Sequence, residues 1–248
     1  MALGGVLAIP IVGTPPPKGQ LSVQQVGDLV FSTNQSVQTE FRNRYPELVN
    51  RAIGAIALSH DYLDLFRSRA PNETRSAILE LLVHGAINAV LCATHHLISG
   101  YAAASGNMLR HYTENVAMTL LCLDPSSGVL EEFTKNSGKY PVHKAPEKLR
   151  QRRQRQRLKT LLAFDADAWE EVLELTNLYD ALSHASGLSL AHTQLLGTDN
   201  QAAIGGTFDP FKKEAYRRDL SRCASAAEAL AHLLSVIVET RYPKEDAT

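Results

Sequence analysis

Apolar residues recur along most of this chain at the three- and four-residue spacing of helices, and no segment alternates for long enough to require a strand. The best-signalled helix is the last one. Asp209-Pro210 supplies a capping side chain and a proline at its start, and an apolar face continues to Val238. Another helix is predicted from about Pro46 to Phe66. The pattern therefore predicts an all-α fold.

A long antiparallel helical hairpin is predicted in the middle of the chain. Asn72 is expected to cap a helix that Ser99-Gly100 ends, and a second helix is predicted from Ala102 to Leu123. The very short loop between them makes the two helices antiparallel neighbours. Small residues at the start of the second helix would allow close approach: Ala102, Ala103, Ala104, Ser105 and Gly106. We therefore expect a helical bundle built on this hairpin.

Two regions are expected around this bundle. Residues 1–71 are expected to form an N-terminal arm and helices, and residues 72–248 the bundle itself. Within the bundle, Ser126 to Ala145 is predicted to be a loop region with one turn of helix, and Pro146 to open a basic helix. Leu188 to Thr207 is polar and rich in glycine, which predicts an irregular excursion before the last helix.

Charge and cysteine content narrow the class of protein. The 25 basic and 26 acidic residues nearly cancel, so no overall field marks a nucleic-acid or membrane-surface binder. The three cysteines, at positions 92, 122 and 223, suit reduced thiols in a core. The apolar N-terminus lacks the positive leading segment of a signal peptide. A cytoplasmic protein is expected.

The longest apolar stretch, Ala77 to Ile98, is interrupted by Glu80, His84 and Asn88 and by two further histidines. A membrane span of about 20 apolar residues would not carry this polar load. The stretch therefore predicts a core helix, and no membrane partner is expected.

Arg110 and Glu114 form the first candidate site. They lie four residues apart on a predicted helix, which places them one turn apart on the same face. If the pair is exposed, it is an ordinary surface ion pair that contributes little to stability. If it faces the interior, Glu114 would hold the guanidinium so that Arg110 could bind a phosphate or carboxylate with two hydrogen bonds.

A second polar cluster contains Tyr179, Ser183, Ser186, His184 and His192. The first three follow helical spacing and line one side of a helix, whereas His184 is rotated from Ser183 by about 100 degrees. Adjacent helical residues point apart, so Ser183 and His184 are not expected to form a catalytic couple. His192 could fold back towards Tyr179, as a structural histidine or as an acid-base group.

No cofactor and no metal ion are expected. The chain lacks a phosphate loop, a nucleophile elbow and the histidine and glutamate spacings of helical zinc or di-iron sites.

The segment from Lys144 to Lys159 is strongly basic, with eight basic residues and one acidic residue. Basic residues gain free energy at a phosphate backbone by releasing counterions, so the segment could bind nucleic acid. It could equally neutralise acidic helices of the same molecule or a second subunit. The candidate contacts are Arg150, Arg152, Arg153, Arg155 and Arg157.

Two short motifs follow one another in this chain. The hairpin carries Leu109-Arg110-x-x-x-Glu114, and Tyr179-x-x-Leu182-Ser183 follows near a histidine. This arrangement resembles the all-helical HEPN (higher eukaryotes and prokaryotes nucleotide-binding) superfamily, especially its uncharacterised bacterial and abortive-infection branches. The resemblance covers about Arg75 to Glu239. It implies metal-independent RNA cleavage by an Arg and a His of one helix, brought together across a homodimer.

In this chain the position expected to hold that Arg is Asn177. The resemblance therefore implies His184 for proton transfer and Arg110, from another helix, for the phosphate charge. It favours binding of a nucleotide or RNA phosphate over RNA cleavage, because the guanidinium next to the histidine is missing.

The rival hypothesis is a non-catalytic interaction or defence-associated scaffold, in which the polar pairs only fix helix packing. A third hypothesis is a small-molecule enzyme with His184 or His192 as its base.

Overall fold

The computed structural model describes residues 33–136, 139–154 and 206–243. The chain divides into two compact units, Met1–Thr33 and Asn34–Thr248, and every described helix belongs to the second unit. The described part is 86% helical, contains seven α-helices and has no strand. The predicted all-α bundle is confirmed.

Within the described ranges, the first six α-helices follow one another through short connections, and three turns of 3-10 helix occur. In chain order the α-helices are α1 (Gln35–Arg44), α2 (Pro46–Arg69), α3 (Thr74–Ile98), α4 (Ala102–Leu123), α5 (Val129–Lys135), α6 (Ala145–Gln154) and α7 (Lys213–Arg241), and the 3-10 turns are Pro125–Ser127, Val142–Lys144 and Pro210–Lys212.

The predicted hairpin is formed by α3 and α4, whose mutual contact is the most extensive between any two described helices. Ser99 and Gly100 end α3 as predicted, and Gly100 adopts a left-handed conformation with φ of 86°. The predicted cap at Asn72 is wrong. Glu73 is the N-cap residue of α3, and its side chain makes no capping hydrogen bond.

A glycine lets α3 and α4 approach closely at their middle. A Cβ atom on Gly85 would lie 2.9 Å from Oδ1 of Asn115 on α4. The amide of Asn115 is held in place because its Nδ2 donates to the backbone oxygen of His111 at 2.8 Å. This contact fixes the rotation of α4 and therefore the direction in which its polar residues point.

The second major contact joins α2 to α7. The predicted apolar face of α7 is buried throughout: Leu220, Ala224, Ala227, Leu230, Leu233, Leu234, Ile237 and Val238. Asp209 caps the turn that leads into α7, since its Oδ1 accepts from the backbone nitrogen of Phe211 at 2.9 Å. The predicted cap at Asp209 and the proline at the first position hold for the 3-10 turn, whereas α7 itself begins at Lys213.

The apolar pattern of α2 indicates the helix but does not identify its buried face. Leu63 is fully buried, whereas Ile53 and Leu58 are 52% and 46% exposed. Ala52 and Ser59 occupy buried positions instead. Small residues are needed there because α2 lies against both α7 and α3.

The segment predicted to be a loop with one turn of helix contains more helix than expected. Gly128, in the left-handed conformation, precedes α5, and Val129 at the start of α5 is completely buried. Packing of Val129 therefore orders a segment whose local sequence favours a loop. The next helix, α6, begins at Ala145, one residue before the predicted Pro146.

Two expectations from the sequence, the irregular excursion and the division into two regions, are not tested by the described helices. Residues 155–205, with most of the irregular excursion, lie outside the described residues. The division predicted between residues 71 and 72 stays a prediction.

Candidate functional site

Arg110 and Glu114 form an ion pair on α4. Nε of Arg110 donates to Oε1 of Glu114 at 3.0 Å. The Arg110 side chain is 25% exposed and that of Glu114 is 10% exposed. The pair is therefore neither of the two extremes expected from the sequence, because the carboxylate is nearly buried while the guanidinium reaches the surface.

The second oxygen of Glu114 faces an imidazole. Nδ1 of His111 lies 3.4 Å from Oε2 of Glu114, and the His111 side chain is 58% exposed. Glu114 lies three residues from His111 and four from Arg110, so one helical turn brings both side chains to a single carboxylate. The carboxylate thus orients a guanidinium and an imidazole at the same time.

These residues line an open cleft of about 450 Å³ between α4 and the segment that leads into α6. From α4 come Asn107, Arg110, His111 and Glu114, and from the facing segment come Tyr140, Val142 and His143.

Tyr140 is held on the wall of the cleft by two contacts. Its ring packs edge-on against Phe133 of α5, with the ring centroids 5.6 Å apart. Its hydroxyl accepts from Nζ of Lys148 at 3.2 Å, and the same ammonium donates to Oε2 of Glu132 at 3.0 Å. Burial lowers the pKa of Lys148, but the hydrogen bonds with Glu132 and Tyr140 outweigh it and raise that pKa above its ordinary value. Lys148 is therefore charged and paired with Glu132 behind Tyr140.

Two further polar side chains of the cleft have no protein partner in the described part of the chain. Asn107 and His143 make neither hydrogen bonds nor ion pairs with any described residue. Polar groups that converge on a cleft without protein partners are the usual way in which a site orients a ligand.

The basic helix α6 is partly turned towards the protein. Nη2 of Arg152 donates to the backbone oxygen of Ser126 at 2.9 Å, and its Nη1 lies 3.7 Å from Oδ2 of Asp124. Asp124 is only 4% exposed, and its other oxygen accepts from the backbone nitrogen of Ser126 at 2.9 Å. Arg152 therefore fastens α6 to the C-terminal end of α4.

Arg150 is arranged differently from Arg152. It is about half exposed, and its Nη2 lies 2.8 Å from Oε2 of Glu147. The hydrogen bond from Arg150 lowers the pKa of Glu147. Both partners are at the surface, so the pair contributes little to stability. The other three candidate nucleic-acid contacts, the side chain of Arg153 and residues Arg155 and Arg157, lie outside the described part.

The second predicted polar cluster cannot be placed against the cleft. Its members all lie outside the described residues: Tyr179, Ser183, His184, Ser186 and His192. Their proximity to Arg110 stays a prediction.

Potential metal ligands do not cluster in the described ranges. No group of three or more His, Cys, Asp or Glu side chains that could hold a metal ion occurs in residues 33–136, 139–154 and 206–243. Cys92, Cys122 and Cys223 are free thiols, and the last two are buried.

Two helical segments pass a length and composition test for crossing a membrane, Thr74–Ile98 and Pro210–Arg241. Half of the first apolar window and 56% of the second are buried inside the protein. Core helices pass the same test, so these segments do not establish membrane association.

Sequence reasoning identified Arg110 and Glu114 but did not identify the other five residues that line the cleft. Asn107 and His143 stand alone in their segments, and Tyr140 lies in a region predicted to be a loop. His111 was noticeable only as a histidine one turn from Asn115. No local pattern links residues 107–114 with residues 140–143, because their proximity arises from the packing of α6 on α4.

No protein-family model, no curated protein and no solved structure matches this chain, so the cleft must be interpreted from its own geometry.

Proposed function

We propose that this chain is a HEPN-like helical protein that binds the phosphate of a nucleotide or RNA in the cleft over α4. The observation that carries the proposal is the Arg110 guanidinium, which lines the cleft and is oriented by Glu114 at 3.0 Å. A guanidinium fixed by a carboxylate is preorganised for an oxyanion, because less side-chain freedom is lost on binding.

The histidines of the cleft support the same ligand class. His111 and His143 lie on opposite walls, and protonated imidazoles donate hydrogen bonds to phosphate oxygens. Tyr140 adds an aromatic ring beside them, which suits a nucleoside or an unstacked RNA base.

Ligand-induced stabilisation tests the proposal. The melting temperature would be measured with nucleoside monophosphates, inorganic phosphate and a short single-stranded RNA, each at several salt concentrations. A ligand at about 100 times its Kd is expected to raise Tm by about 5 to 10 °C. Binding of RNA should also weaken as salt increases, since counterions are released.

Arg110→Gln is the test variant, and Arg51→Gln is its matched control. Arg51 forms an exposed ion pair with Glu228 on the α2 and α7 side of the bundle, away from the cleft residues. The stabilisation is expected to disappear in Arg110→Gln and to persist in Arg51→Gln. A ligand shift that survives Arg110→Gln unchanged, or no shift with any of these ligands, contradicts the proposal.

The inward contacts of Arg152 favour a second candidate function, a non-catalytic scaffold whose polar pairs fix helix packing. This function predicts that cleft variants change stability and that none of the phosphate ligands shifts Tm.

A further inference from the structure

The charges around the cleft suggest which kind of phosphate it accepts. Arg110 carries a positive charge and Glu114 a negative one, so the pair is neutral as a unit. Lys148 and Glu132 form a second neutral pair behind Tyr140. Among the described residues that line the cleft, the imidazoles of His111 and His143 are further groups that can face a phosphate.

The position of His111 leaves one ring nitrogen for a ligand. Its Nδ1 faces Oε2 of Glu114, so its Nε2 is on the opposite side of the ring. More than half of the His111 side chain is exposed. His143 approaches from the facing wall and has no partner among the described residues. Both imidazoles can therefore donate to a phosphate group that Arg110 holds.

The size and lining of the cleft fit a single nucleotide. Its volume of about 450 Å³ lies at the lower end of small-molecule sites, which span about 300 to 1,000 Å³. Tyr140 and Val142 supply an aromatic and an aliphatic surface, and the Asn107 amide offers both a donor and an acceptor. These groups suit a base or ribose beside a phosphate.

We infer that the cleft selects the terminal phosphate of a nucleoside monophosphate over the internal phosphodiester of an RNA chain. This inference rests on the proposed function and narrows its ligand class. A phosphomonoester carries close to two negative charges above its second pKa of about 6, whereas a diester carries one. The monoester also offers three terminal oxygens, one for each of Arg110, His111 and His143, whereas a diester offers two.

The two ligand types should differ in their pH dependence. The monoester gains its second charge near pH 6, whereas a diester has no second ionisation. The ratio of monoester affinity to diester affinity should therefore increase as the pH rises through about 6.

The experiment compares adenosine 5′-monophosphate, inorganic phosphate and the diester adenylyl-adenosine by isothermal titration calorimetry of the full chain from pH 5.5 to 8. At pH 6.5 the monophosphate is expected to bind about tenfold more tightly than the diester, the gain typical of one additional charge-assisted hydrogen bond. Inorganic phosphate measures the contribution of the phosphate group alone.

His143→Gln is expected to remove most of this preference, while His60→Gln is expected to keep it. His60 is an exposed histidine of α2 and does not line the cleft. Equal binding of monoester and diester, both abolished by Arg110→Gln, would overturn the inference and leave the proposed function standing. No binding of any of the three ligands would overturn both. A preference that is unchanged in His143→Gln, or that is as large at pH 5.5 as at pH 8, would also overturn the inference.

Discussion

Glu114 holds Arg110 from one helical turn away, with Oε1 accepting from Nε at 3.0 Å while the rest of the carboxylate is shielded from solvent. The exposed pair of Arg51 and Glu228 has similar hydrogen-bond lengths, 2.9 and 2.8 Å, but both of its side chains are more than 40% exposed. The two pairs therefore have similar geometry in different surroundings.

This difference predicts unequal effects on stability. Arg110→Ala leaves the nearly buried Glu114 carboxylate without its guanidinium and should lower the free energy of unfolding by about 1 to 3 kcal/mol. Arg51→Ala should lower it by less than about 1 kcal/mol, since water replaces the lost partner. Urea denaturation of both variants measures the difference. Equal losses would show that the shielding of Glu114 has no energetic consequence.

The contact between Gly85 and Asn115 predicts opposite effects for two glycine substitutions. A Cβ on Gly54 of α2 meets no atom within 4 Å, so Gly54→Ala should stabilise the protein by about 0.5 to 1 kcal/mol through helix propensity. Gly85→Ala gains the same propensity but displaces the Asn115 amide, and should be less favourable than Gly54→Ala by about 1 kcal/mol or more.

The double variant Gly85→Ala, Asn115→Ala provides the control. Removing the amide removes the obstacle, so Gly85→Ala should become favourable when measured against Asn115→Ala alone. If Gly85→Ala is as stabilising as Gly54→Ala in the unmodified chain, the close approach of α3 and α4 at this point is contradicted.

The three thiols should differ in reactivity. Burial raises the pKa of Cys122 to about 11 and that of Cys223 to about 12, and both raised values disfavour the reactive thiolate near neutral pH. Cys92 is partly exposed. Native protein at pH 8 should therefore react rapidly with iodoacetamide at Cys92 and slowly at the other two, as measured by peptide mass spectrometry. Rapid labelling of Cys223 would show that the core opens more readily than its packing indicates.

Two arginines of the basic helix, Arg152 and Arg150, should contribute unequally to stability. Arg152→Ala removes the counter-charge of the buried Asp124 and should cost about 1 to 3 kcal/mol of stability. Arg150→Ala breaks an exposed pair and should lower stability by clearly less than Arg152→Ala does. Thermal or urea unfolding compares the two. A larger loss with Arg150→Ala would contradict the inward role of Arg152.

Much of the fold could be predicted from the sequence because its signals are local. Helical spacing of apolar residues, the glycine at position 100 and the Asp209-Pro210 start each depend on a few neighbouring residues, and the helices follow them closely. The burial of particular residues could not be predicted in this way. Leu81 fits the apolar pattern of α3 and is nevertheless 73% exposed, because tertiary contacts decide which part of a wide apolar face is covered.

Only the part of the candidate site that lies on one helix could be predicted from the sequence. Arg110 and Glu114 could be paired from the sequence because they belong to one turn of one helix. Tyr140 and His143 join them only after α5 and α6 pack against α4, a long-range event that no local pattern encodes. The Arg152 contact with Asp124 was missed for the same reason, and a run of basic residues looked uniform although its members have different surroundings.

The most direct test of the phosphate-binding role of the cleft is the affinity for adenosine 5′-monophosphate. It would be measured by equilibrium dialysis at pH 6.5 and low salt for the unmodified chain, Arg110→Gln and Arg51→Gln. Saturable binding is predicted for the unmodified chain and for Arg51→Gln, with a loss of at least about tenfold in affinity for Arg110→Gln. Equal affinity of all three proteins, or no binding to the unmodified chain, would contradict it.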